Sequence, residues 1–415
     1  MFQALAMGRI GMVKGVFEGV KVLDFTWVGV GPLTMKYLAD HGATVVRVES
    51  MKRPDTVRIA PPYKDKIAGV DRSGYYAFLN SNKYSIALDL RNPERIDMAK
   101  RLASWADIVA ESFEAGTMEQ LGLGYEDLRK VKSDVIMYRA CNQGQTGPHA
   151  KFPGYGTQLV GLAGFTYLTG WPDRAPVQPF GAYTDIAAFP FGGSALIAAL
   201  IHHRKTGEGQ CIDLSQFEAG VQFLSPLLLD YMVNERMAER EGNLCPYAAP
   251  HGIYRCKGKD RWCAITVFTD EEWAVFCQVI DTPEWTRTLK FTTLLKRKES
   301  EDELNKLVEE WTSNFTAEEV MTLMQDAGIA AGVVKTAEEV RNDPQLNERG
   351  LFWILNHREI GPYAHVGQPF KLSKTPAQPR MAAPCLGEHT EYICKEILNM
   401  SDEEFIELLS ADVFK

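Results

Sequence analysis

No two of the eight cysteines, Cys141, Cys211, Cys245, Cys256, Cys263, Cys277, Cys385 and Cys394, form a Cys-x-x-Cys pair. The spacing that announces a zinc ribbon or a dithiol redox centre is therefore missing, and the cysteines read as reduced packing residues with no metal site. The longest low-charge run, Ile186 to Ile201, is shorter than a membrane span and is interrupted by Pro190, Gly192 and Gly193. Positive charge is not in excess: 45 Lys and Arg against 54 Asp and Glu leave a net charge of -9. That balance excludes a general binder of nucleic acid or anionic membrane, yet leaves room for a local basic pocket that holds phosphates. Neither Ser81 nor Ser215 lies in a Gly-x-Ser-x-Gly elbow, which removes the usual signature of a serine hydrolase. The opening "MFQALAMGRIGMVKG" is too short and too interrupted by glycine for a signal peptide, so a cytoplasmic location is expected.

What is present is enough apolar residue, 45% of 415 positions, to bury a large core spread over two or three domains. "GVKVLDFTWVGVGPLTMKYLADHGATVVRVES" reads as strand, tight turn, amphipathic helix and second strand. The alternation continues through the strand "SIALDL", the helix "NPERIDMAKRLASWAD" and the strands "IVAESF" and "DVIMYRA". Strands alternating with helices imply an α/β fold with a mainly parallel, Rossmann-like sheet covered by helices. After "GQCIDLS", the stretch "QFEAGVQFLSPLLLDYMVNERMAEREGN" is helical, and "HGIYRCKGKDRWCAITVF" switches to a hairpin around "KGKD". The expected division is a large domain's N-terminal part over 1–225, a linker helix over 226–245, a smaller α+β domain over 246–334, and a return segment over 335–415.

Several short patterns bear on chemistry. "GVGP", Gly29 to Pro32, is a glycine-rich turn between strand and helix, but Thr34 stands where a dinucleotide fingerprint needs its third glycine. The turn still suits close approach of a ligand to backbone, or simply unusual dihedrals. Arg47, Lys52, Arg53 and Arg58 cluster after the second strand and are either phosphate clamps or solvated surface charge. His202 and His203 end an apolar helix, where C-capping accounts for them. Asp185 precedes the small residues Ala187, Ala188, Gly192, Gly193 and Ala195. An aspartate at a helix start is a cap, a base or a nucleophile, and local pattern does not separate the three.

Beyond these, "GVKVLDFTWVGVGPLTMKYLADHGATVVRVE", "FLNSNKYSIALDLRNPE", "GYGTQLVGLAG", "RKTGEGQCIDLS" and "LGEHTEYICKEIL" stand in order along nearly the whole chain. In these motifs the chain resembles the class III CoA-transferases, the formyl-CoA, carnitine and benzylsuccinate type. The resemblance implies a large domain made from both chain ends, a smaller inserted domain, and two chains interlocked as rings, as a homodimer or as a heterodimer or heterotetramer with a related chain. It implies that Asp185 is the nucleophile and that acyl-CoA and a carboxylic acid are the substrates, coenzyme A being carried rather than permanently bound. By the same resemblance, Gly29, Val30, Leu88, Asp89, Leu90, Arg91, Phe113, Tyr155 and Gly156 contact CoA, with Lys52, Arg53 or Arg58 on its phosphates. The small residues after Asp185 would leave room for acyl groups.

The chain also departs from the formyl-CoA transferases, which carry glutamine, arginine, asparagine and glutamate at Gly29, Ser50, Ser112 and Gly156. Fewer polar groups, with Trp27 nearby, suit an acid bulkier and more apolar than oxalate, such as benzylsuccinate. Two alternatives stand beside transfer: an acyl-CoA racemase, whose histidine position holds Tyr155 with His149 six residues early, and a CoA-binding partner subunit of a heteromeric transferase.

Overall fold

The structure, a computed structural model, describes residues 14–414; the expectation about a signal peptide rests largely on residues outside that span. By contact density the chain divides into two units. Among the described residues, one comprises 14–166, 178–237 and 348–414, the other 167–177 and 238–347.

The larger unit is built on six parallel strands: β1 (Lys21–Asp24), β2 (Thr44–Glu49), β3 (Tyr84–Ala87), β4 (Ile108–Glu111), β5 (Ile136–Cys141) and β6 (Cys211–Ser215). Their spatial order is β3-β2-β1-β4-β5-β6. Strands of a parallel sheet covered on both faces are apolar on both, and here successive residues feed two separate cores. Leu23, Val46 and Val109 pack with Met98 and Leu102 of the helix Pro93–Trp105. Val22, Val45 and Ile108 pack with Met35 and Leu38 of the helix Val30–Asp40 and with Leu196 and Leu200 of the helix Tyr183–Thr206.

The first core also takes Ile393, Cys394, Phe405 and Phe414. The C-terminal stretch is thus a structural part of the larger unit. It brings a feature absent from the sequence reading, an antiparallel hairpin of β10 (Phe352–His357) and β11 (Gly361–Val366).

The smaller unit holds the anticipated hairpin, β7 (His251–Arg255) with β8 (Trp262–Thr266), extended by β9 (Ala330–Val333) into a three-stranded antiparallel sheet. Its limits differ from those read from sequence. Helices Ala337–Arg341 and Pro344–Glu348 carry the boundary to 347, and the separate segment 167–177 joins it. The helical stretch expected through 245 is two helices, Gln216–Phe223 and Ser225–Asn234, which end where Glu235 turns into the left-handed region at φ 55°.

Chain direction in the sheet reverses its winding between β1 and β4, so the loops leaving these two strands part and open a crevice at the carboxyl edge. Ligand-binding residues are to be sought there.

Candidate active site

Two cavities lie along that edge. The first, of about 310 Å³, is lined by Trp27 to Gly29 after β1, Ser112 to Glu114 after β4, Cys141 and Asn142 at the end of β5, Phe152 to Gly156, Asp185 and Gln216. The second, of about 380 Å³, is lined by Ser50, Arg53, Leu88 to Arg91, Thr117 and Leu121. Trp27, Phe113 and Glu114 belong to both. Trp27 and Phe113 meet edge to face, ring centroids 5.9 Å apart, and form the wall between them.

Asp185 sits in the first turn of the helix Tyr183–Thr206, but Ala182 is the N-cap and the Asp185 side chain caps nothing. Its backbone N–H donates to Ala182 O at 2.9 Å. Among the described residues no hydrogen bond reaches its carboxylate, which is 5% exposed. Burial pushes the Asp185 pKa up to about 7, because an ion removed from water without compensating donors is disfavoured. The helix start opposes this only weakly. A cap would show the reverse pattern, an exposed carboxylate bonded to backbone N–H groups.

Two glycines make the position possible. A Cβ on Gly29 would collide with Asp185 Oδ2, and one on Gly156 with Oδ1. The carboxylate therefore lies between two stretches of bare backbone, each brought in by its own tether. Thr184 Oγ1 donates to Gly156 O at 3.1 Å, and Asn142 Nδ2 donates to Gly154 O at 3.0 Å.

The Gly29 side is held by a strained turn. Val28, a β-branched residue, has φ 67°, a conformation costing roughly 1–3 kcal/mol unless its surroundings impose it. They do so: Val28 N donates to Asp55 Oδ2 at 3.1 Å, Trp27 N donates to Ser112 Oγ at 2.8 Å, and Arg47 Nη1 donates to Thr26 O at 2.7 Å. Asp55 is fixed in turn by Arg47 Nη2 at 2.6 Å.

Arg47 and Arg58 therefore require correction as phosphate clamps. Arg58 is 0% exposed, with Glu49 at 2.8 Å, Asp71 at 2.6 Å, Tyr76 Oη at 2.6 Å and the Pro384 carbonyl at 3.2 Å. Its donors are committed to a buried network that also contains Asp24 and Lys83. In that network burial opposes each charge. The arginines nevertheless hold Glu49 well below the usual carboxylate range, and Lys83 is pushed down to about 8.

Other sequence-derived residues distribute between the cavities. Gly29, Phe113, Tyr155, Gly156 and Asp185 line the first. Arg53, Leu88, Asp89, Leu90, Arg91 and Phe113 line the second, and Lys52 reaches its rim, 3.7 Å from Asp89. Asp89 also holds Arg91 at 2.9 Å and Arg95 at 3.5 Å. The Arg53 guanidinium lies over Trp27, 5.7 Å from the ring centroid. Val30 is buried as the first residue of its helix, and its carbonyl accepts from Thr34 Oγ1.

The small residues after Asp185 do not provide acyl room. A side chain on Gly192 would strike Tyr138 Oη and press on Thr34, so this glycine seats its helix on the sheet and on the helix Val30–Asp40. Val28, Asp55 and Gln216 carried no sequence signal, since their roles depend on contacts with residues distant in the chain. Among the described residues no cluster of His, Cys, Asp and Glu is arranged to hold a metal ion.

The family model described as CoA-transferase family III matches residues 17–390. The chain is 31% identical over 397 residues to a human (Homo sapiens) protein named succinyl-CoA:glutarate CoA-transferase, covering 95% of this chain and 89% of that one. It is 30% identical over 399 residues to the alpha subunit of a succinyl-CoA–L-malate CoA-transferase of Chloroflexus aurantiacus, covering 95% and 92%. A crystal structure of a CAIB/BAIF family protein from Brucella suis superposes with a TM-score of 0.85 at 28% identity, covering 92% of this chain and 100% of that one.

Proposed function

The chain belongs to CoA-transferase family III, and from that membership we propose that it transfers CoA from an acyl-CoA thioester to a free carboxylic acid with Asp185 as nucleophile. One observation carries the mechanism: a carboxylate to which none of the described residues donates a hydrogen bond, buried between two glycine backbones, opens into the cavity at the sheet's switch point. An ordinary structural aspartate has partners; a nucleophile needs to be poorly solvated and accessible to substrate.

In this reading an Asp185 oxygen attacks the thioester carbonyl, the C–S bond breaks, and CoA leaves as thiolate, giving a mixed anhydride. The thiolate then attacks the aspartyl carbonyl and releases the first acid as carboxylate. The acceptor carboxylate attacks the resulting aspartyl thioester, expelling the thiolate to form a second anhydride. Thiolate attack on the acceptor's acyl carbon completes the new thioester and restores Asp185. Holding the thiolate in the cavity beside Asp185 keeps its effective concentration high, and excluding water protects the anhydrides.

The second cavity is assigned to the nucleotide end of CoA, with Leu88 to Arg91 and Phe113 as walls and Arg53, Arg91 and Lys52 on phosphates. The acyl and acceptor groups occupy the first. Its aromatic wall of Trp27, Phe113, Phe152 and Tyr155 suits an acid bulkier than oxalate, a benzylsuccinate-like acid included. The named relatives transfer CoA between succinate and glutarate or malate, acids of comparable length.

Racemisation is less well supported, because none of the described residues lining the cavity is a histidine and His149 lies against Phe152 in a tilted pair, ring centroids 4.3 Å apart. The helix Tyr183–Thr206 is long and apolar enough to cross a membrane, but it carries the nucleophile and packs against the sheet. We assign it to the core of a cytoplasmic protein.

The apolar side chains of the helix Ser225–Asn234, with Met232 75% and Val233 76% exposed, are assigned to a contact with a second chain, identical or related. The test of function is turnover by the purified chain. Succinyl-CoA and an acceptor acid should yield the acceptor's CoA thioester with wild type, and Asp185→Asn should lower that rate by at least ~10³-fold. Unchanged transfer by the variant would refute the mechanism.

A further inference from the structure

We propose that Gln216 recognises the acid in the Asp185 cavity and selects acids that carry a hydroxyl group. This rests on the transfer reading above, which places the acid beside Asp185. Gln216 is the first residue of the helix Gln216–Phe223, directly after β6, where Ser215 Oγ accepts from Glu218 N and fixes the helix start. The position brings the side chain to the carboxyl edge of the sheet and into the wall of the first cavity.

The residue is 7% exposed, its Oε1 is fully buried without a partner, and among the described residues its amide makes no hydrogen bond at either end. The neighbouring polar groups are differently placed. Ser112 Oγ is engaged with Trp27, Asn142 Nδ2 with Gly154, and Cys141 Sγ accepts from Gln145. Of the cavity-lining side chains that are more than nine-tenths buried, Asp185 and Gln216 bring polar atoms without partners. The first is the proposed nucleophile. The second is a neutral amide next to it, and a buried amide left unmet is a standing cost that a ligand can remove.

The chemistry of that ligand follows from the amide. It presents a donor and an acceptor, and a carboxylate, which only accepts, can meet the Nε2 end alone. A hydroxyl both donates and accepts, and satisfies the group whichever way the amide plane is turned. Charge points the same way. The charged residues lining the cavity are Asp185 and Glu114, both acidic, so a second carboxylate aimed at Gln216 would find no counter-ion there. The reacting carboxylate goes to Asp185, and the hydroxyl of the same acid goes to Gln216.

The experiment measures kcat/KM for acceptor acids matched in skeleton with and without a hydroxyl: malate and succinate, 2-hydroxyglutarate and glutarate, 3-phenyllactate and 3-phenylpropanoate. Wild type should favour the hydroxylated member of a pair by ~10-fold or more. Gln216→Met should bring that ratio close to one, whatever the change in absolute turnover, because the ratio within each pair cancels effects common to both acids. Circular dichroism and the thermal midpoint of the same variant serve as the control for folding.

An equal ratio in wild type and variant overturns the proposal, as does a wild-type ratio at or below one on every skeleton, a result that needs no variant. Acylation of Asp185 by the donor with no hydroxy acid accepted overturns the role of Gln216 alone. Absence of Asp185 acylation together with active transfer defeats the reading on which it rests.

Discussion

At the scale of the residue, Asp185 is defined by what does not touch it. Among the described residues its carboxylate has no donor to stabilise the charge, and burial makes the folded chain hold this proton more tightly than the unfolded chain, with a pKa raised from 3.8 to about 7. The sign follows directly: the contribution of this group to stability is fully present below pH 3.8 and is lost as the pH rises to about 7. Replacing Asp185 with Asn should therefore stabilise the protein at pH 8, by ~1–4 kcal/mol, and leave it unchanged near pH 3.5, read from denaturation midpoints at the two pH values. A structural carboxylate would show destabilisation at pH 8. Gly29→Ala and Gly156→Ala place a methyl against one carboxylate oxygen each. Either should cut kcat by ~100-fold or more, and circular dichroism should show the fold retained. None of this was legible near Asp185 itself. An aspartate followed by small residues fits a cap as well as a reagent, and only the order of distant motifs favoured the second.

At the scale of the element, the segment from Arg47 to Arg58 shows how sequence proximity misleads. Four basic residues within twelve positions look alike in the sequence. The fold turns Arg47 and Arg58 inward to Asp24, Glu49, Asp55 and Asp71, and leaves Lys52 and Arg53 at the cavity rim. Arg47 braces the turn that carries Val28 and Gly29 through Thr26 O and Asp55, while Arg58 ties Glu49 to Asp71 and to the Pro384 carbonyl. Their partners come from several separate segments, which no local pattern reveals. Arg91→Ala and Arg53→Ala should raise KM for acyl-CoA by ~10-fold with kcat nearly unchanged. Arg58→Ala should instead lower the unfolding free energy by the ~3–5 kcal/mol that breaking a buried ion pair costs. Steady-state kinetics and chemical denaturation of the three variants check this division. If Arg58→Ala were as stable as wild type and altered only KM, its place in the network would be wrong.

At the scale of the whole molecule, the parallel sheet was readable because apolar strands alternate with amphipathic helices, a pattern that survives without knowledge of contacts. The strand order, and with it the crevice between β1 and β4, was not, since the order depends on which edge each crossover chooses. The hairpin of β10 and β11 was likewise hidden, because "GLFWIL" alone does not declare its partner strand. The exposed apolar helix Ser225–Asn234 carries a prediction at this scale. Light scattering should find the purified chain, alone or with a related chain, as a dimer or larger, and Met232→Glu with Val233→Glu should weaken that assembly. The central claim, that Asp185 carries the acyl group and then CoA, is tested most directly by trapping. Purified chain is incubated with succinyl-CoA, quenched with hydroxylamine or borohydride, digested and examined by mass spectrometry. The account predicts modification of the peptide at Asp185 and none in Asp185→Asn; CoA transfer proceeding while Asp185 stays unmodified would contradict it.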